Sequence, residues 1–119
     1  MAEAKTYSGG CHCGEVKFEI STDLATVVEC NCSICSKRGA VWTFVKAPQF
    51  KLVAGKDALS DYQFGKKRIH HLFCPSCGVG SYSNGLAPNG EETYAVNVRC
   101  LDGVDVAALD PKPFDGKSL

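Results

Sequence analysis

The chain has 119 residues, 45% of them hydrophobic, with 13 lysines and arginines set against 13 aspartates and glutamates. That length suits one ordinary domain, and the hydrophobic share is enough for a modest core. A net charge of zero gives no electrostatic reason to approach DNA, RNA or an anionic membrane, and no apolar run is long enough to span a bilayer.

Residues 1–10 lack the apolar core of an export signal, which points to the reducing cytoplasm. Cys11 and Cys13 follow as a C-x-C pair. Residues 15–20 alternate polar and apolar side chains with period two, as a half-buried strand does. Cys30, Cys32 and Cys35 then form C-x-C-x-x-C. The stretch 33–38 predicts one helical turn, with Ser33 as its cap and Gly39 as its stop. Residues 40–45 are rich in β-branched and aromatic side chains and predict a strand whose Trp42 and Phe44 share a face in the core. Strands at 50–53, 59–64 and 68–73 follow, punctuated by Gly55 and Gly65. Cys74 and Cys77 make a C-x-x-C pair, and Cys77-Gly78 reads as a tight turn whose amides can steady bound sulfur. Asn84-Gly85, Asn89-Gly90 and Asp102-Gly103 predict turns, and residues 93–98 predict a strand. Past Leu109, Pro111, Pro113 and Gly116 predict surface loop. The expected architecture is mainly β, a single domain over 5–110 with a tail at 111–119.

Eight cysteines dominate the chemistry. Without an export signal, clustered cysteines read as metal ligands before disulfides, and their spacings match neither common ferredoxin pattern. A tetrahedral zinc with bonds of 2.3 Å holds its sulfurs about 3.8 Å apart, a distance short loops can supply. On a strand, residues i and i+2 share a face, so C-x-C offers two thiolates together. C-x-C plus C-x-x-C makes four ligands and a closed site. The triad Cys30, Cys32 and Cys35 makes three, leaving one coordination position open, as in catalytic zinc sites. The rival is a second closed site whose fourth ligand is Cys100, His12, His70 or His71. Three thiolates leave zinc poor at making hydroxide but able to bind a fourth soft ligand as its thiolate. Thiol activation toward a carbonyl carbon is the chemistry this favours.

Gly10-Cys11-His12-Cys13-Gly14, then Cys30-Asn31-Cys32-Ser33-Ile34-Cys35, then Phe73-Cys74-Pro75-Ser76-Cys77-Gly78 resemble the glutathione-dependent formaldehyde-activating enzyme family, whose superfamily includes centromere protein V-like proteins. The resemblance implies a β-tent fold of small coiled antiparallel sheets and two zinc ions. It implies a structural zinc on Cys11, Cys13, Cys74 and Cys77, and a catalytic one on Cys30, Cys32 and Cys35. The implied reaction is a carbon–sulfur lyase step, the reversible joining of glutathione and formaldehyde as S-hydroxymethylglutathione. The alternative is a non-catalytic double-zinc scaffold for protein interaction.

Lys37 and Arg38, just past the triad, are candidates to balance thiolate charge or guide anionic glutathione. Lys66-Lys67-Arg68 reads as a solvated strand end. His70 and His71 alternate faces, so no more than one can face a given site. His12 points away from the metal its neighbours hold, and Cys100 reads as a small buried apolar residue. Oligomeric state leaves no mark in the sequence.

Overall fold

The structure, a computed structural model, describes residues 5–24, 26–63, 69–86 and 89–114. Lys66-Lys67-Arg68 and Phe64 lie outside the described residues. The architecture is mainly β, as the sequence predicts. Among the described residues, ten strands form a three-stranded and a seven-stranded sheet.

The small sheet joins β1 (Lys5–Gly10), β2 (Lys17–Thr22) and β5 (Phe50–Ala54), all antiparallel. The period-two pattern read at 15–20 is realised slightly later, with Phe18, Ile20 and Thr22 of β2 turned inward. The large sheet contains β3 (Val28–Cys30), β4 (Trp42–Lys46), β6 (Ser60–Tyr62), β7 (Ile69–Phe73), β8 (Tyr82–Leu86), β9 (Glu92–Asn97) and β10 (Lys112–Phe114). Its order is β10-β3-β4-β9-β8-β7-β6. Every pairing is antiparallel except β3 with β10.

Between the sheets lies one apolar core. Val16, Phe18 and Ile20 from one side meet Val41, Val45, Tyr82, Val96, Val98 and Leu101 from the other. Phe50 lies at its margin, stacked on Tyr94 with centroids 4.2 Å apart and leaning on Tyr82 at 4.7 Å. Such contacts add directional preference to the burial of apolar area.

Several local expectations change. Asn84-Gly85 is not a turn but the middle of β8, paired with His70 and Ile69 on one side and Tyr94 and Thr93 on the other. Two flanking partners override the local turn preference. Residues 112–114, read as loop, form the edge strand β10, where Pro113 is tolerated because one side of the strand is unpaired. The α-helix α1 spans Ser33–Arg38 and ends at Gly39 as expected, but its cap position is Cys32, and Ser33 is the first helical residue. Trp42 and Phe44 part company: Trp42 is 4% exposed under α1, whereas Phe44 is 49% exposed. Phe44 lines a shallow groove of about 190 Å³ with Ile69 and Leu86, and no cysteine stands in its wall.

Candidate metal centres

The hairpin connection after β1 carries Cys11 and Cys13, and the connection after β7 carries Cys74 and Cys77. The two connections belong to different sheets and meet at one end of the core. Neither cysteine of the first pair lies on a strand; a turn at residues 12–13 brings their sulfurs together instead. Cys11 Sγ stands 3.6 Å from Cys13 Sγ, which stands 3.6 Å from Cys74 Sγ. All four sulfurs lie within 4.8 Å of one another, close to the spacing of about 3.8 Å for tetrahedral zinc thiolates.

Backbone donors converge on this group. The Val16 amide donates to Cys11 Sγ at 3.3 Å. The amides of Cys13 and Val79 are aimed at the Cys77 sulfur and pull its thiol down to about 6, because a donor favours the charged acceptor. Gly78 closes the second loop with φ +80°, its amide donating to Cys74 O at 2.7 Å. Glu15 supplies a contact the sequence reading missed. Its carboxylate accepts from Ser76 Oγ at 3.3 Å and faces the Cys74 sulfur at 3.9 Å. No spacing rule links residues 15 and 76, so only the fold reveals the pair.

Cys30, Cys32 and Cys35 form a second group, also with sulfurs within 4.8 Å of one another. This one is built locally, from the end of β3, the cap position of α1 and the first turn of the helix. The Cys32 amide donates to Cys30 Sγ at 3.5 Å, and Ser36 Oγ pins the intervening loop at Asn31 O, 2.9 Å away. Burial pushes the Cys35 thiol up to about 12, the Cys32 sulfur adds to the rise, and the Trp42 indole opposes it. A cation beside the Cys35 sulfur would favour its charged form. Soft, close-set thiolates are the donor set zinc prefers, and both groups fit it.

Among the described residues, no fourth His, Cys, Asp or Glu joins the triad's group. Cys100 sits beside Ser81 and within the field of Cys11, Cys77 and Arg38, where burial pushes its thiol up. His12 is exposed in the turn between Cys11 and Cys13. His70 Nδ1 pairs with Asp61 Oδ2 at 2.6 Å. His71 is buried beside Ser83, 3.5 Å away, and burial followed by the Arg38 charge holds its imidazole below the ordinary range.

Lys37 and Arg38 diverge. Lys37 is exposed on the outer face of α1, while Arg38 is half-buried. The Arg38 guanidinium lies so close over Gly80 that a Cβ there would overlap it. It thereby reaches from the helix of the triad to the loop that leads from Cys77 into β8.

The family model of the glutathione-dependent formaldehyde-activating enzymes matches residues 6–113. A crystal structure of a Rhodobacter sphaeroides protein is similar to this chain, with a TM-score of 0.79 and 34% sequence identity; the match covers 89% of this chain and 97% of that one. Among the described residues, no helix is long and apolar enough to cross a membrane. The matched span takes in all seven clustered cysteines, and the chain belongs to the glutathione-dependent formaldehyde-activating enzyme family.

Proposed function

We propose that the protein is a zinc-dependent carbon–sulfur lyase that reversibly joins glutathione to formaldehyde, giving S-hydroxymethylglutathione. The observation that carries the reading is the triad: three cysteine sulfurs gathered within 4.8 Å without a fourth ligand residue among the described residues. In the forward direction the thiol sulfur bonds to the carbonyl carbon, the C=O π bond opens, and the thiol's proton ends on the oxygen. Cys30, Cys32 and Cys35 would hold a zinc ion, which would supply the Lewis acidity to keep a small thiol in its thiolate form near neutral pH.

The chain's own residues do the rest. Cys11, Cys13, Cys74 and Cys77 would hold a second, structural zinc that would tie the two sheets together. Arg38, half-buried three residues past Cys35, presents a cation to a carboxylate of glutathione, and the exposed Lys37 adds a second one at the rim. Such charges hold the tripeptide with its thiol toward the triad and leave its reacting end unobstructed. We place the protein in the cytoplasm, where thiols stay reduced.

The test is magnetisation exchange between labelled formaldehyde and S-hydroxymethylglutathione in the presence of protein carrying two zinc ions. Exchange well above the spontaneous rate, abolished in Cys32→Ser and with no binding of S-methylglutathione, supports the reading. Spontaneous exchange alone, in protein that measurably holds both metals, would sink it in favour of a zinc scaffold.

A further inference from the structure

The indole N–H of Trp42 donates to Cys35 Sγ across 3.2 Å. Trp42 is only 4% exposed, and a buried indole N–H without an acceptor costs free energy comparable to a lost hydrogen bond. The ring is not free to choose another partner. Its backbone is fixed at the head of β4, paired with Asn97 of β9 and Val28 of β3. From the other side, α1 is six residues long with no buried residue of its own, too short to hold its shape alone. The orientation of Cys35 therefore depends on what the helix is tied to, and the indole is a side-chain tie that ends on the sulfur itself.

We propose that Trp42 is a positioning residue of the three-cysteine centre, fixing Cys35 and drawing charge from its sulfur by hydrogen bonding. The inference rests on the reading that the triad holds a metal. Three thiolates around one dication leave a net negative charge, and an N–H directed at one of them lowers its electron donation. Two consequences follow. The metal keeps more Lewis acidity for the incoming thiol than three unassisted thiolates would leave it. The Cys35 sulfur also becomes a poorer nucleophile, so the protein's own ligand does not compete with the substrate thiol for an aldehyde carbon. Cys30 receives a backbone amide instead, so of these two donors only the one at Cys35 can be removed by changing a side chain.

The experiment replaces Trp42 by β-(3-benzothienyl)alanine, which keeps the ring shape and exchanges the N–H for sulfur, with Trp42→Phe as a second variant. Cobalt-loaded protein reports the sulfur-to-metal charge-transfer bands, and zinc-loaded protein reports iodoacetamide alkylation at Cys35 by mass spectrometry. Loss of the hydrogen bond shifts the charge-transfer bands to lower energy and speeds alkylation roughly 2- to 10-fold, the factor expected from one net hydrogen bond. A role confined to packing leaves both unchanged in the isosteric variant, and that outcome overturns the proposal even if Trp42→Phe fails to fold. Wild-type protein that takes no cobalt at the triad overturns the metal reading and this inference together. A shifted band in protein that does not catalyse formaldehyde exchange sinks the lyase reading and leaves the role of Trp42 intact.

Discussion

The two cysteine groups use the same ligand atoms for opposite structural ends. In the four-cysteine group, Cys13 and Cys74 are 61 residues apart in sequence and come from loops of different sheets. In the triad, all three sulfurs fall within residues 30–35. A metal in the first closes a long loop and removes much freedom from the unfolded chain, whereas a metal in the second closes a trivial one. Burial varies within the first group: Cys74 has no solvent exposure, Cys11 and Cys77 are half-buried and Cys13 is exposed, while every member of the triad is half-buried. Four sulfurs that join two sheets suit fastening, and a half-buried group of three donors suits exchange with a ligand from solution.

The largest expected effect tests that contrast directly. Cys74→Ser should abolish the cooperative thermal transition, because it opens the link between the sheets and places a hydroxyl in a fully buried position. Cys32→Ser should keep a sigmoidal transition and lose one of two zinc ions by elemental analysis. Equal destabilisation by the two substitutions would erase the distinction between fastener and reactive centre.

A smaller effect is expected at the bridge between the groups. Gly80→Ala puts a methyl where the Arg38 guanidinium lies, and the flexible end of arginine can swing away without unfolding the chain. Steady-state kinetics should show KM for glutathione raised about tenfold with kcat nearly kept, as for loss of one charged hydrogen bond. An unchanged KM would remove Arg38 from substrate binding.

The smallest effect concerns His71, whose imidazole is held below its ordinary range by burial and by Arg38. The folded state prefers the neutral ring. Its contribution is complete above the unfolded pKa of about 6.5 and is lost as pH falls through the folded pKa. Between pH 7.5 and 5.5 the urea midpoint of the wild type should therefore fall further than that of His71→Gln. Parallel slopes would show that the ring titrates as it does in the unfolded chain.

Much of the site was legible because ligand spacing is a local property. Cysteines two or three residues apart must lie near one another whatever the fold, and counting the ligands of each short pair gave the partition that the resemblance also implies. Trp42 was legible only as a core residue, since nothing in a strand pattern says which atom the indole N–H will find. The general rule that a buried indole seeks an acceptor, applied beside a cysteine cluster, is the signal that could have raised it. Glu15 offered no such hint, because its contact with Ser76 is created by the meeting of two loops. In the fold, strands with clear alternation were legible within a residue or two. By contrast, β3 and β10 are three residues each, too short to show a period, and β8 was hidden by an Asn-Gly pair that its neighbours hold extended.

The pairing of β10 with β3 also sets an order of assembly. Phe114 lies opposite Cys30, and the Asn31 amide donates to Phe114 O at 3.1 Å. As the chain leaves the ribosome, every ligand of the four-cysteine group has been made once Cys77 emerges, while the strand that braces Cys30 is still unsynthesised. A metal ion taken up by the four-cysteine group would find all its ligands in the nascent chain at that point; the triad gains its outer brace only after residues 112–114 arrive.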